Sequence, residues 1–227
     1  MKIYSIYPTM VQSAEIIPPD VNVKLILRHS YRPSIKGIDN SDNISLTIKG
    51  KEMAFKFGLG LCCPIGVIYS SQLLRCIQTC QFILKGTCIS NTTTINTIDM
   101  RRFYSSDLVL SEKTFHQEKN GKLVVSKMLN NDILPGFISI HKCANRQLDF
   151  IFGIGNKKST IDIFCTHDFQ LMCLISWLYN YSSDVDLIRK EWPQMLEGVF
   201  IWGNRDDFYC VWRSNIKHFI NNEECID

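Results

Sequence analysis

Three short apolar stretches of the sequence each end in a polar cluster, and this pattern constrains the fold more than any other feature of the chain. The stretches are residues 23–27, 66–69 and 161–165, and their length and apolar character are typical of strands buried inside a parallel sheet. A segment with helical spacing follows each of them. This strand–helix order, repeated along the chain, predicts an α/β fold: a mostly parallel, doubly wound sheet with helices on both faces.

The spacing of apolar residues predicts where the helices lie. Thr47 is placed to cap a helix that runs to about residue 61, and further helices are predicted over residues 72–84 and about 169–181. Less regular spacing predicts two more helices, around residues 122–134 and 145–152. Each predicted parallel strand is therefore followed by a helix that carries the chain back to the start of the next strand.

We assign residues 1–227 to one domain, because a chain of 227 residues suffices for a single well-buried α/β core. Residues 198–202 and 208–212 flank a polar turn that contains glycine and aspartate. They predict a C-terminal hairpin that forms an antiparallel edge of the sheet. The less regular segment, at about 99–159, is interpreted as a small, cap-like insertion.

The polar clusters that follow the predicted strands contain the candidate functional residues. In open α/β sheets, ligands bind at the carboxyl ends of the strands, so side chains from all three clusters are expected to meet at one edge. Together the clusters supply three arginines, two histidines and one aspartate: Arg28, His29, Arg32, Arg75, His167 and Asp168. Their convergence predicts a single site.

Three guanidinium groups at one point repel each other unless an anion lies between them. The planar fork of arginine matches phosphate oxygens and stays charged at any ordinary pH, so a phosphomonoester is the expected ligand. A histidine among these arginines, such as His29, is biased toward its neutral form because a further positive charge is unfavourable there. Neutral imidazole is a competent nucleophile.

The charge and hydropathy of the chain exclude several other functions. The formal net charge is +3, too small to indicate binding to nucleic acid or to an anionic membrane. No stretch approaches the roughly 18 apolar residues that a membrane-spanning helix needs. Residues 1–19 lack the continuous apolar core of a signal peptide, so we expect a cytoplasmic protein.

The ten cysteines are interpreted as reduced thiols that bind no metal. No CxxC pair occurs, and several cysteines lie inside apolar segments, where cysteine behaves as a small buried hydrophobe. Cys165 and His167 are two potential zinc ligands, but no second pair stands at zinc spacing. A secreted, disulfide-linked scaffold is the less favoured interpretation.

Four motifs, in order, resemble those of the histidine phosphatase superfamily, which includes the phosphoglycerate mutases and the histidine acid phosphatases. The resemblance covers about residues 23–84 and 161–174. The motifs contain an Arg-His core after a strand, a Leu-Thr-x-x-Gly helix start, paired serines followed by an arginine, and a second histidine. They read LILRHSYRP, LTIKGKEMA, IYSSQLLRCIQT and FCTHD.

This resemblance implies a role for each candidate residue. His29 is the implied nucleophile, and Asp168 is the implied proton donor, as in the acid-phosphatase branch. His167, the second catalytic histidine, is also one of the implied phosphate ligands, which are Arg28, Arg32, Arg75 and His167. The implied reaction is hydrolysis of a small phosphorylated metabolite through a phosphohistidine, without metal or other cofactor.

Several alternatives remain open at the level of sequence. A phosphomutase of the same fold uses the same residues, and a catalytically silent phosphate-binding module would keep the arginines for recognition alone. Three carboxylates are reserve candidates for the proton donor, because the mutase-like branch takes its acid from about this region: Asp99, Asp107 and Glu112. His116, His141 and His218 are interpreted as surface or core histidines. The sequence indicates neither the substrate nor the oligomeric state.

Overall fold

The computed structural model describes residues 1–34, 42–87, 93–155 and 157–220. The strands in these ranges are β1 (Asn22–Arg28), β2 (Ile65–Ser71), β3 (Ile95–Ile98), β4 (Thr160–Thr166), β5 (Gly198–Gly203), β6 (Asp207–Trp212) and β7 (Asn215–Ile220). The helices are α1 (Pro8–Glu15), α2 (Ile48–Leu59), α3 (Leu74–Gly86), α4 (Leu108–Glu118), α5 (Gly121–Leu129), α6 (Ile140–Phe152), α7 (Asp168–Leu178) and α8 (Val185–Glu191). A 3-10 turn covers Met100–Phe103.

The strands form one mixed sheet in the order β3-β2-β4-β1-β5-β6-β7. The strands β3, β2, β4 and β1 are parallel to one another, whereas β5, β6 and β7 extend the sheet from β1 as an antiparallel edge. The predicted α/β fold and its C-terminal hairpin are thereby confirmed. Because Arg28 pairs with Thr166 in the β1–β4 register, the polar residues that follow these two strands emerge side by side.

Helices cover both faces of the sheet, which explains why β4 is buried along its whole length. One apolar cluster joins α1, α2 and α3 to one face, and a second joins α6 and α7 to the other. A third cluster packs α5 and α8 against the outer side of α7. Among the helices of the described ranges, none is long and apolar enough to cross a membrane.

The segment at about 99–159 contains more structure than its sequence predicts. The helix α4 was not predicted, α5 ends at Leu129, and α6 begins at Ile140. The inner side of α6 packs on the sheet, where Leu148 and Ile151 join the cluster that contains Phe164. The helix α4 helps to form the wall of the cleft described below.

The described cysteines are all free thiols, and most of them are buried. Cys76, Cys80 and Cys165 lie together in the apolar cluster on one face of the sheet. Cys88 and Cys225 fall outside the described residues. The buried cysteines of the described ranges therefore pack as small hydrophobes, whereas Cys62 is exposed and Cys63 is half-buried.

A buried ion pair crosses the middle of the sheet, away from the polar edge. Lys24 on β1 lies opposite Asp162 on β4, their nitrogen and oxygen atoms are 2.7 Å apart, and each side chain is 1% exposed. The second oxygen of Asp162 accepts a hydrogen bond from the backbone N–H of Val67 at 2.8 Å. Buried charges of this kind are tolerated only while both partners are present.

Replacing Asp162 with asparagine is therefore expected to lower the free energy of unfolding by about 3–5 kcal/mol, because Lys24 is left as an unpaired buried charge. The double variant Lys24→Met/Asp162→Asn removes both charges and should recover most of that loss. Urea unfolding measures both effects. Asp186→Asn, in the exposed pair with Arg189, is the matched control and should cost about 0–1 kcal/mol. A double variant no more stable than Asp162→Asn would contradict this account.

Candidate active site

Arg28 and His29 stand where β1 ends, at the carboxyl edge of the parallel strands. The backbone N–H of His29 donates to the carbonyl of Thr166 at 3.0 Å, which ties the residue to the end of β4. Both side chains are buried, with 8% of Arg28 and 2% of His29 exposed. The sheet itself therefore fixes the position of the predicted nucleophile.

The loop after His29 is held by two helices. The Ser30 hydroxyl donates to the carbonyl of Gly50 at 2.7 Å, and the Ser30 N–H donates to the hydroxyl of Thr79 on α3 at 2.9 Å. Gly50, in the first turn of α2, is close to the loop: a Cβ there would lie 2.1 Å from the carbonyl oxygen of Tyr31. Only glycine at this position lets α2 approach the loop so closely.

Hydrogen bonding decides which nitrogen of His29 carries the proton. The Nδ1 atom lies 2.8 Å from the carbonyl oxygen of Ser30, which only accepts, so Nδ1 is the donor. Burial, together with the charges of Arg28 and Arg75, lowers the pKa of His29 to about 3. His29 is therefore neutral at ordinary pH, with a lone pair on Nε2, and this is the form that a nucleophile requires.

His167 follows β4 and lies beside His29, with 5.4 Å between the ring centroids. A guanidinium nitrogen of Arg75 donates to its Nδ1 at 3.4 Å, so Nε2 carries the proton and donates to the hydroxyl of Ser71 at 2.9 Å. Burial and the neighbouring positive groups hold the pKa of His167 well below its usual value. His167 is thus a neutral hydrogen-bond donor fixed between α3 and β2.

Asp168 is the first residue of α7 and faces Arg28, with 2.7 Å between the carboxylate and the guanidinium. The same carboxylate oxygen accepts from the indole N–H of Trp192 at 3.1 Å, and the other oxygen accepts from the N–H of Phe169 at 3.0 Å. Burial alone would raise the pKa of Asp168, but Arg28 and these hydrogen bonds outweigh it and lower the pKa. Asp168 is therefore ionised in the ligand-free site.

The predicted arginines converge on the two histidines. One guanidinium nitrogen of Arg28 donates to the carbonyl of Pro193 at 2.6 Å, and Arg32 lies near enough for its charge to lower the pKa of His167. The buried Nε atoms of Arg28 and Arg32 have no hydrogen-bond partner among the described residues. A cluster of guanidinium groups whose N–H donors are not all used within the protein forms a binding site for a small, highly charged anion.

The structure thus brings together every residue of the predicted site. Their side chains lie at one edge of the sheet and come from the ends of β1 and β4 and from the first turn of α3: Arg28, His29, Arg32, Arg75, His167 and Asp168. A cleft of about 660 Å³ opens beside them, and Arg75, His167 and Asp168 line its inner end. A phosphoryl group beside His29 would leave the rest of a substrate in this cleft.

Two of the three reserve candidates for the proton donor line the cleft, and the third does not. The two lie in its outer part, which we define as the wall beyond Arg75, His167 and Asp168. Asp99 and Glu112 lie in the wall and share Arg101 as a partner. Arg101 holds the pKa of Asp99 below its usual value. Asp107 instead caps α4, accepting from the N–H of Leu110 at 3.0 Å, and is not part of the wall. This capping role explains why an aspartate stands directly before the first residue of α4.

Sequence reasoning missed four residues that shape the site. Trp192 and Pro193 contact Asp168 and Arg28 from the segment between α8 and β5, and no local pattern in that segment marks them. Arg101 and His116, in the cleft wall, belong to the irregular region. His116 is exposed, in agreement with its interpretation as a surface histidine, and it lines the cleft.

The structure also bears on the alternative metal site. Cys165 is fully buried in the apolar cluster on one face of the sheet, whereas His167 turns to Ser71 and Arg75. No group of three or more His, Cys, Asp or Glu side chains in the described ranges is placed to hold a metal ion. Cys165 and His167 are thus not members of such a group within the described ranges.

Comparison with protein families identifies one match. Residues 25–185 match the model of the histidine phosphatase superfamily (branch 1). This range begins in β1, ends at the start of α8, and includes every residue of the predicted site. No curated protein matches the chain in sequence.

Solved structures share the fold at low sequence identity. A mycobacterial glucosyl-3-phosphoglycerate phosphatase is 13% identical, with a TM-score of 0.56 over 85% of this chain and 99% of that chain. The protein called mycobacterial hydrolase 2 is 12% identical, with a TM-score of 0.55 over 87% and 93%. Phosphoserine phosphatase from Entamoeba histolytica, in complex with 3-phosphoglyceric acid, is 16% identical, with a TM-score of 0.53 over 79% and 90%. At these identities the likeness establishes the fold alone.

Proposed function

This chain belongs to the histidine phosphatase superfamily, and we propose that it is a phosphomonoesterase that hydrolyses a small phosphorylated metabolite through a phosphohistidine at His29. One observation carries the proposal: the imidazole of His29 is buried and neutral, and it stands within a cluster of guanidinium groups. Its Nε2 atom carries no proton and keeps its lone pair. A nucleophile and an anion site are thereby combined at one point. The two phosphatases with a similar fold are consistent with this reaction.

In the first step, Nε2 of His29 attacks phosphorus. The new P–N bond forms as the ester P–O bond breaks, and the departing oxygen takes a proton from Asp168. The arginines and His167 hold the equatorial phosphoryl oxygens, on which charge is spread in the transition state. The Nδ1–H bond to the carbonyl of Ser30 keeps the imidazole oriented as it becomes positively charged.

In the second step, water attacks phosphorus on the face that the alcohol has left. Asp168, now a carboxylate, takes a proton from the water as the P–O bond forms and the P–N bond breaks. Orthophosphate and neutral His29 are the products. Each step uses only side chains of this chain together with substrate and water, so the proposed reaction requires no metal.

Asp168 must first gain the proton that it donates. Its carboxylate is ionised because Arg28 faces it at 2.7 Å. A bound phosphomonoester competes for that guanidinium and adds negative charge beside the carboxylate, and both effects raise the pKa of Asp168. Substrate binding is thus the event that turns Asp168 into an acid.

A panel of phosphomonoesters, assayed by release of orthophosphate, tests the proposed function directly. Sustained release from at least one member supports a phosphatase. Transfer of phosphate between two metabolites without net release would instead support the mutase alternative. Tight phosphate binding with neither activity would support the silent binding module.

Orthophosphate is expected to stabilise the protein, by about 2.7 kcal/mol at a concentration 100 times its Kd. Arg75→Met should weaken phosphate binding by roughly 10–100-fold, the value of one charge-assisted hydrogen-bonding group. Thermal unfolding across a phosphate titration measures both effects. Arg189→Met, on the surface of α8, is the control and should leave the titration unchanged. An equal response of both variants would place the phosphate elsewhere.

A further inference from the structure

The outer half of the cleft presents carboxylates and has little positive charge to spare. Arg101 and His116 are the basic residues of this wall, and the donors of Arg101 are already engaged. Its Nε and one terminal nitrogen bind Asp99 at 2.9 and 2.8 Å, and the other terminal nitrogen binds Glu112. Asp42 also lines the cleft and lies near enough to Arg75 for their charges to interact. A second acidic group on a substrate would therefore meet negative charge in this part of the cleft.

Gln170 supplies a second, independent observation. It stands on α7, one residue after Phe169, and is one of the residues that line the cleft although only 3% of it is exposed. The side-chain oxygen of Gln170 is buried and has no hydrogen-bond partner among the described residues. Buried amide groups are nearly always hydrogen-bonded, so this carboxamide is expected to pair with a ligand.

Aromatic side chains complete the wall between these polar groups. Phe169 packs edge-on against Tyr104 and Phe115, with ring centroids 5.0 and 4.7 Å apart, and all three rings line the cleft. Such rings offer apolar surface to the carbon skeleton of a ligand. The outer cleft thus combines acceptor oxygens with an apolar floor, and the guanidinium of Arg101 in its wall is already paired with carboxylates.

We propose that the alcohol half of the substrate carries hydrogen-bond donors and no second acidic group, and that Asp99, Glu112 and Gln170 select it. This inference rests on the proposed phosphomonoesterase activity. Hydroxyl groups of a polyol phosphate would donate to the carboxylates and to the carboxamide oxygen. A carboxylate in the same place would be repelled by Asp99 and Glu112 and would leave the oxygen of Gln170 without a donor.

Two phosphomonoesters with the same three-carbon skeleton test this selection. Glycerol 3-phosphate ends in a hydroxyl where 3-phosphoglycerate carries a carboxylate. Each is titrated as a competitor of nitrophenyl phosphate hydrolysis, so neither needs to be a natural substrate. We expect glycerol 3-phosphate to bind roughly tenfold more tightly or better, since a like-charge contact at about 4 Å costs about fivefold in bulk water and more near a protein surface. Equal binding, or tighter binding of 3-phosphoglycerate, would overturn the inference.

Two variants test whether the carboxylate of Glu112 causes the preference for glycerol 3-phosphate. Glu112→Gln removes one charge and releases a donor of Arg101, so the ratio of the two inhibition constants should fall toward one. Glu118→Gln is the matched control: it lies on the same helix but pairs with Lys127, so the ratio should not move. An unchanged ratio in Glu112→Gln would contradict the role of that carboxylate.

The variant Gln170→Met distinguishes a role of Gln170 in binding the substrate from a role in stabilising the fold. Methionine has a similar length, and the amide oxygen it removes has no hydrogen-bond partner in the described chain, so the melting temperature should be kept or raised. Glycerol 3-phosphate should bind several-fold more weakly to this variant, and 3-phosphoglycerate should be unaffected. A lower melting temperature with unchanged binding would mean that Gln170 is structural. Failure of the native protein to hydrolyse nitrophenyl phosphate or any panel member would instead contradict the proposed function itself.

Discussion

Replacing His29 with asparagine is expected to lower kcat by about 10⁴-fold or more and to abolish the covalent intermediate. Asparagine retains a polar side chain that can donate to the Ser30 carbonyl, but it offers no nucleophilic lone pair. The remaining arginines can still bind the substrate, so KM should change much less than kcat. Rapid quenching with labelled substrate measures the intermediate, which should be acid-labile and base-stable in the native protein and absent in His29→Asn.

His141→Asn is the matched control for this experiment, because His141 is an exposed histidine of α6 far along the chain from the proposed nucleophile. Its kcat and its adduct should equal those of the native protein. The same assays are run with and without a chelator, which should make no difference. A labelled adduct that persists in His29→Asn, or activity lost to the chelator and restored by zinc, would contradict the proposed chemistry.

The central elements of the fold were predictable because burial leaves a strong signal in the sequence. The strands β1 and β4 are covered on both faces, so they read as mostly apolar runs, interrupted only by the buried pair Lys24 and Asp162. The edge strands β3 and β7 were not predicted, since each has exposed or half-buried residues throughout. Edge strands lack the apolar pattern that marks a core.

The helix α4 was missed for a different physical reason. Its buried positions are polar: Ser111 shares a hydrogen bond with Ser105 at 2.9 Å, and Thr114 donates to the carbonyl of Pro135 at 2.9 Å. Val109, in its first turn, is 80% exposed. The apolar residues of α4 thus do not mark its inner face, and a periodicity argument built on apolar spacing has nothing to detect.

The grouping of the site residues followed from one topological rule. Parallel strands deliver their carboxyl ends to the same edge, so residues that directly follow β1 and β4, such as His29 and His167, were predicted to meet. The rule says nothing about side chains that arrive from other segments. Trp192 reaches Asp168, and Arg101 reaches Glu112, only because the whole chain folds, so neither contact was predictable.

Asp168→Asn should lower kcat for an alkyl phosphate by about 10²–10⁴-fold, the usual contribution of a general acid. Asparagine keeps the shape of the side chain, and its one carbonyl oxygen can still accept from the N–H of Trp192 or of Phe169, but it has no acidic proton to donate at ordinary pH. The other interpretation is that Asp168 positions Arg28, which it contacts at 2.7 Å. Loss of a positioning residue weakens phosphoryl binding and transfer for every substrate, whatever its leaving group.

The leaving group therefore separates acid catalysis from positioning. Nitrophenolate departs without protonation, so phosphorylation of His29 by nitrophenyl phosphate should suffer far less in Asp168→Asn than phosphorylation by an alkyl phosphate. Burst kinetics isolate this first step from hydrolysis of the phosphohistidine, which is expected to slow in both cases because the general base is also lost. Asp107→Asn, an equivalent change at the N-cap of α4, controls for the loss of a helix-terminal carboxylate and should leave both rates unchanged. If the first step slows equally for the two substrates, Asp168 is a positioning residue, and the proton donor is to be sought at Asp99 or Glu112, whose carboxylates line the same cleft.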